Sequence, residues 1–340
     1  MRRLFRTIIC LLVLTTASDL WSQGPREFIF AARRSGIAEV VDANTLETVA
    51  RLHFDFRVER LSASADGSKL YVAGYGTGDP CCKHYTLDPA TLKLEEEVPS
   101  SERSDYGGCL VSLDGRWCFR LKSFRGPALK TVDLRESGPS RELIPPGLLE
   151  ENSEGNWSAN GVWSGDHFYL YVARPNDPGL LWTVLPGAEV LGAGIAVARF
   201  SEAPGCRERL PVAKGLVAAG GDIFLHEPFG SKADRTGTCE TALPGGAWMV
   251  DTATGRLTNQ IASEFHFNRL IPDRSGSTLY GVVLGRADWG GPVQLVRLNE
   301  RDGKLMQSRT FEPGVLQIAI GPLGKIPVGD VTARSPDTDR

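Results

Sequence analysis

The sequence predicts an all-β fold, a β-propeller of four-stranded antiparallel blades, and three observations carry that prediction. Helical spacing of apolar residues is not sustained anywhere after the N-terminal segment, while 38 Gly and 21 Pro punctuate short apolar runs throughout. A strand–turn–strand element recurs, with turn glycines at 67, 115, 165, 221, 276 and 324, spaced by 48, 50, 56, 55 and 48 residues. That period is about the length of one propeller blade. The two ends of the chain are also complementary: the first sheet lacks its first strand, and the last strand lacks a sheet.

Taken in chain order, Phe28–Phe30 through Val49-Ala50 reads as an outer part-blade. The glycine-centred hairpin then appears as Leu61 to Ala73, Cys109 to Phe119, Gly161 to Val172, Gly215 to Leu225 and Leu270 to Val282, with a weaker copy at Gln317 to Val328. A second hairpin falls between these, a strand ending in Asp or Asn and then a polar turn with Thr or Gly. It occurs at Asp42, Asp88, Asp251 and Asn299. Asp and Asn side chains bond the backbone two residues on and start such turns, and Gly takes positive φ where it is required. Two hairpins per period make one four-stranded sheet, which covers both faces only when sheets pack radially around an axis. The count is six blades, with room for a seventh in the irregular stretch from Trp157 to Leu210. There Leu180–Leu185 and Ile195–Phe200 both read as third strands. The ring closes by Leu316–Ile320 pairing beside the sheet that begins at Phe28. The propeller domain spans residues 24–329, and 330–340 reads as a polar tail.

The N-terminus reads as a secretory signal. Arg2, Arg3 and Arg6 form a basic region, Thr7 to Ala17 is largely apolar, and Thr15-Thr16-Ala17 offers small residues for cleavage. The signal is residues 1–17, with cleavage as late as about residue 23. This places the product in the periplasm or outside the cell, without membrane insertion, since no later stretch approaches the ~20 apolar residues of a spanning helix. Loss of the three arginines moves the formal charge from −3 to −6. A mildly acidic chain without basic blocks is a poor match for nucleic acid. Six of seven cysteines survive processing, an even number that favours disulfides in an oxidising compartment. Cys109 and Cys118 flank the Asp114-Gly115 turn almost symmetrically and are placed to lie opposite one another. Cys206 and Cys239 are the other disulfide candidates, their pairing open.

Ser64 to Ala73, Val41 to Val49 and Val250 to Leu257 resemble bacterial YVTN-type repeats and the large propeller subunit of quinoprotein amine dehydrogenases, a similarity extending over residues 28–324. The resemblance implies a propeller. In those dehydrogenases the propeller subunit is the non-catalytic scaffold, and a separate small chain carries the quinone. The motifs are turn chemistry, so they specify fold rather than function. The Cys81-Cys82 pair, Cys206 and Cys239 lie outside the repeat.

Candidate chemistry is sparse. Cys81-Cys82-Lys83-His84 is the densest set of ligand-type residues, able in principle to bind copper or zinc. Adjacent cysteines on a strand point to opposite faces, so a vicinal disulfide or two structural disulfides is the competing reading. His226-Glu227 pairs an imidazole with a carboxylate, as acid/base chemistry needs, or forms a surface turn ahead of Pro228. His266, Asn268 and Arg269 enter a first strand where a central funnel opens. Arg60, Asp105-Tyr106, Trp157, Asn160 and Lys214 hold comparable places in other copies. Such a ring suits a small ligand or a partner loop, or is simply the solvated entrance of the blades. Trp289 sits in a loop as a contact candidate, like His84, His226 and Glu227. No phosphate-binding loop, dinucleotide fingerprint, hydrolase elbow or zinc helix is present, and no cofactor is implied. The expectation is a binding scaffold for a protein or small molecule without catalytic activity of its own. The alternatives are an amine-dehydrogenase-type propeller subunit and a metal-dependent, lactonase-like hydrolase.

Overall fold

The computed structural model describes residues 27–33, 35–63, 70–75, 83–88, 93–96, 110–112, 114, 116–122, 128–135, 140–146, 158–173, 179–197, 215–226, 245–273, 275–284, 292–312, 316–322 and 329–333. Every regular element among them is a strand. In chain order, β1 (Glu27–Arg33), β2 (Ile37–Asp42) and β3 (Thr48–Phe54) open the fold. Four strands follow as one sheet: β4 (Arg57–Ala63), β5 (Leu70–Tyr75), β6 (Lys83–Asp88) and β7 (Lys93–Glu96). The next sheet holds β8 (Leu110–Val111), β9 (Trp117–Lys122), β10 (Ala128–Asp133) and β11 (Arg141–Leu143). Then come β12 (Ser158–Ser164), β13 (His167–Ala173), β14 (Leu180–Val184) and β15 (Ile195–Ala196). The fourth set is β16 (Gly215–Ala219), β17 (Asp222–His226), β18 (Ala247–Val250) and β19 (Leu257–Ile261). The fifth is β20 (Phe267–Pro272), β21 (Thr278–Leu284), β22 (Val293–Asn299) and β23 (Leu305–Phe311). Last, β24 (Leu316–Pro322) and β25 (Gly329–Ala333) return to the first three strands in the order β24-β1-β2-β3-β25.

Turn chemistry explains the outer hairpins. Asp42 Oδ1 accepts from the amides of Asn44 and Thr45, Asp251 Oδ1 from Ala253, and Asn299 Oδ1 from Arg301. Four residues after each of these, an amide donates back to the first residue's carbonyl: Leu46 to Asp42, Gly255 to Asp251 and Gly303 to Asn299. Those three residues have φ of 55°, 72° and 66°, and each hairpin carries a bulge one pair behind the turn. A left-handed residue closing such a turn is the usual place for glycine. Leu46 takes the strain because its side chain is 2 % exposed, in a cluster with Tyr280 and Leu295.

Apolar clusters join each sheet to the next. Phe30 and Leu52 pack with Phe56 and Tyr85, and Cys118 with Tyr71. Phe119 packs with Phe168, Tyr171 with Leu225, Val217 with Leu270, and Tyr280 and Val282 with Ile29. The first strand of each sheet lines the axis, where β24 lies beside β4, β8 beside β12, β12 beside β16, β16 beside β20 and β20 beside β24. The chain is a β-propeller.

Five sheets are regular four-stranded blades. The expectation of six blades, with a seventh possible, is corrected to these five; the sheet that closes the ring is five-stranded, and its edge strand β25 is parallel to β3. No further sheet occurs among the described residues where a seventh was allowed, because Leu180–Val184 and Ile195–Ala196 are third and fourth strands of one sheet. Closure is as expected and longer: all of β24 pairs antiparallel with β1, from Glu27↔Pro322 to Arg33↔Leu316. Part of the expected polar tail is a strand, since β25 runs parallel to β3 from Gly329↔Ala50 to Ala333↔Phe54. It covers an edge that would otherwise expose unpaired backbone. Cys118 stands opposite Val111, and Cys109, the partner expected for it, lies outside the described residues.

The closing sheet is also clamped by its neighbour. Four side chains of the β20–β23 sheet donate to four successive carbonyls of the β2–β3 turn. Tyr280 donates to Ala43 (3.0 Å), Arg297 to Asn44 (3.1 Å), Gln307 to Thr45 (2.5 Å) and Arg309 to Leu46 (2.8 Å). Ring closure therefore depends on β24 and this clamp together. Ending the chain after Phe311 should abolish the single cooperative unfolding transition, read by circular dichroism against urea. A truncated chain that still unfolds in one transition at the parent midpoint would contradict this.

Candidate functional site at the axial face

Antiparallel first and second strands bring the start of each inner strand and the end of the adjoining second strand to one face of the ring. Asn160 of β12, Gly215 of β16, Arg269 of β20, Gln317 of β24 and Arg60 of β4 all fall near this face. Two inner strands share a device there. The β20–β21 register skips Asn268, so that Phe267 faces Val283 and Arg269 faces Val282. The β4–β5 register skips Glu59 in the same way, Val58 facing Gly74 and Arg60 facing Ala73. A bulge inserts an unpaired residue and re-aims its neighbours, and here an arginine follows each one.

Arg269 uses its re-aimed position to bridge the ring. Nη1 donates to Gln317 Oε1 at 2.6 Å, and Nη2 donates to the Leu61 carbonyl at 3.1 Å. One guanidinium thus ties β20 to β24 and β4. A planar fork with several donors suits this, where an ammonium would reach a single acceptor well.

His226 ends β17 with 3 % exposure. It pairs with Gly215, and a Cβ at Gly215 would stand 1.9 Å from His226 Nε2. Glycine in the inner strand is what lets the ring lie there. Nδ1 is buried without a hydrogen-bond partner. Burial pulls the imidazole pKa down to about 4; hydrogen bonding to the Phe267 backbone opposes the shift, and the nearby Arg269 charge adds to it. The unfolded chain therefore binds a proton that the folded ring refuses between pH 6.5 and about 4. The stabilisation is fully present above pH 6.5 and is lost as pH falls toward 4. Its size is about 3 kcal/mol. His226→Leu should flatten the wild-type loss of stability between neutral and acid pH in urea titrations. An equal slope in both proteins would contradict it.

Several expectations change here. His226 is not part of a surface turn: it is buried because second strands are covered on both faces by neighbouring blades. His84 is not a loop residue, since the ladder continues through Gly74↔Lys83 and Ala73↔His84, making it the second residue of β6. That pairing puts His84 and Arg60 in one row across β5. His266 stands half-buried just before β20, and Asn268 is the bulged residue itself. Asp105, Tyr106, Trp157, Lys214, Glu227, Trp289, Cys81, Cys82, Cys206 and Cys239 lie outside the described residues. Among the described residues no group of three His, Cys, Asp or Glu is arranged to hold a metal.

Gln317, Gly215 and the paired bulges escaped sequence reasoning. A direct signal existed for the bulges. Phe56 to Tyr71 aligns without a gap on Phe265 to Tyr280, matching Phe56, Arg60, Leu61, Gly67, Ser68, Leu70 and Tyr71 with Phe265, Arg269, Leu270, Gly276, Ser277, Leu279 and Tyr280.

No family model matches the sequence, and no curated protein matches it. Among solved structures, TolB from Acinetobacter baumannii is similar, with a TM-score of 0.55 and 14% identity over 88% of this chain and 67% of that chain. Apo AztD from Citrobacter koseri has a TM-score of 0.48 and 12% identity over 89% of this chain and 100% of that one. The dihydro-heme d1 dehydrogenase NirN, in complex with DHE, has a TM-score of 0.44 and 16% identity over 88% of this chain and 76% of that one. At such identities the TolB likeness shows the propeller fold alone. It does not reach the quinoprotein resemblance.

Proposed function

We propose that this chain is an exported binding scaffold, a rigid propeller that holds a small ligand or a partner loop at the axial face where Asn160, His266, Asn268 and Arg269 gather. The observation that supports it is the repeated bulge. Two inner strands depart from regular pairing at the same level, and an arginine follows each bulge in the sequence. Bulges are retained features that re-aim side chains, and binding groups on a rigid ring lose little freedom when a ligand arrives. The basic, apolar and small-residue sequence of the N-terminus supports export to the periplasm or beyond. No helix among the described residues is long and apolar enough to cross a membrane.

Two experiments test the reading. Thermal-shift screening of purified protein against a metabolite panel, with affinity capture from native extract, should give a stabilising ligand or a specific partner. Neither appearing would sink the scaffold. N-terminal sequencing of the protein from a fractionated host should begin after Ala17 or shortly beyond. A cytoplasmic, uncleaved chain would reject export.

A further inference from the structure

The outer edges of the sheets differ in how they are protected. Among the described residues, β15 has two residues, β11 three, β7 four and β19 five, while β3 is covered by β25. The seven-residue edge of β23 is neither short nor covered, and no strand among the described residues pairs with it.

The closing sheet tells which backbone groups face outward there. Phe54 N donates to the Gly36 carbonyl, so by the alternation of antiparallel pairing Ala50, Leu52 and Phe54 bond the β2 side. Arg51 and His53 are left to face β25. The β22–β23 hairpin is built in the same way. Asn299 N donates to the Lys304 carbonyl as Asp42 N does to Glu47, and the same one-residue shift follows, ahead of Gln307 as it is ahead of Ala50. Ser308 and Thr310 therefore hold the places of Arg51 and His53, with amide and carbonyl aimed away from β22. Their side chains are exposed and neutral, as is Met306, 52% exposed. The one charge of the strand, Arg309, is turned to Leu46 and Glu39. Natural edges are blunted by charge, proline, shortness or cover, and β23 has none of these. Its bulge is no obstacle, since β3 carries the same one beside β25.

Charge selects the occupant and its register. An antiparallel copy of β23 centred on Ser308 sets Gln307 opposite Arg309 and Met306 opposite Thr310, so no like charges meet. Centring on Arg309 would set two arginines opposite one another. We propose that β23 is a self-recognition edge, at which two copies of this chain pair antiparallel about Ser308 and join their β20–β23 sheets into one continuous sheet. The same strand serves both copies, so the contact closes as a two-fold dimer. It goes beyond the axial-face reading and does not rest on it.

Sedimentation velocity of the purified chain from about 1 μM to about 500 μM should show a reversible monomer–dimer equilibrium, weak because one pair of edges buries less than a standard interface. Ser308→Pro removes an outward amide without touching the β22 ladder, and should raise the dimer dissociation constant at least about tenfold. Ser308→Lys sets two ammonium groups across the two-fold axis and should do the same, with the urea midpoint of each variant reporting that the propeller still folds. In the wild-type protein, amide exchange at Ser308 and Thr310 should be at least about tenfold slower at the high concentration than at the low one, a readout that needs no variant. A chain monomeric throughout, a dimer that folded Ser308→Lys leaves unchanged, or protection independent of concentration overturns the self-pairing. A monomer whose β23 edge is taken by another protein's strand overturns it as well, and none of these outcomes touches the axial-face reading.

Discussion

Phe168→Ala should lower the unfolding free energy by about 3–5 kcal/mol, the largest loss expected from a single core truncation here. Phe168 is fully buried and belongs to an aromatic set joining the second and third regular blades. Its ring centroid lies 4.6 Å from Phe119 in an edge contact and 5.2 Å from Trp163. Trp163 Nε1 donates across the same seam to the Leu110 carbonyl at 3.0 Å. The ring also fills the space above Gly161, where a Cβ would stand 2.2 Å from Cζ. Neighbours with glycine backbone on one side and aromatic faces on the other have little to move into a cavity, so the void persists. Urea denaturation reads the loss as a lower midpoint at unchanged slope. A loss under about 1 kcal/mol would mean that this seam is not packed as described.

Glu39→Ala should cost nearly as much, about 3 kcal/mol, by a different mechanism. Glu39 is 6 % exposed in β2. It accepts hydrogen bonds from Thr48 Oγ1 at 2.6 Å and Arg309 Nη2 at 2.9 Å, and pairs with Arg33 at 3.2 Å. Arg309 bridges from the last regular blade to the closing sheet, and its guanidinium also lies 4.7 Å over the Phe311 ring. Removing the carboxylate strips Arg309 of its acidic partner and leaves Arg33 with Glu312 at 2.7 Å. The partial exposure of Arg33 and Arg309, 19% and 27%, holds the cost at the lower end of the range for broken buried pairs. Glu39→Leu combined with Arg309→Met should recover much of the loss, because a packed apolar pair escapes the desolvation penalty. If the double variant is as unstable as Glu39→Ala, the arginine acts chiefly through its bond to Leu46 rather than through Glu39.

The candidate site was only partly legible in the sequence. Asn160, His266, Asn268 and Arg269 were identifiable because position in the repeat predicts proximity to the axis. Their partners were not. Arg269 meets the Leu61 carbonyl 208 residues away, a contact that exists only after the ring has closed. The unmet Nδ1 of His226 has no local signature at all, since burial is imposed by the neighbouring blade and space by Gly215 on another strand.

The propeller itself was determined by the sequence, because its signals are local. Asp42, Asp251 and Asn299 each bond the next turn's amides, and glycines recur once per blade, whatever lies across the ring. Pairing of Leu316–Ile320 with the first sheet was equally readable, since a part-blade at one end and a spare strand at the other have one economical solution. Tertiary structure decided what locality cannot reach. It made Gly329–Ala333 a fifth strand, placed Leu46 in a left-handed turn position elsewhere held by glycine, and set Arg269 behind a bulge where it reaches Gln317 and Leu61. In each case the energy comes from a part of the chain distant in sequence: backbone pairing with β3, burial against Tyr280, and the hydrogen bonds of Arg269 to Gln317 and Leu61. Those gains offset local strain or lost pairing, and no short stretch of sequence contains both sides of that balance.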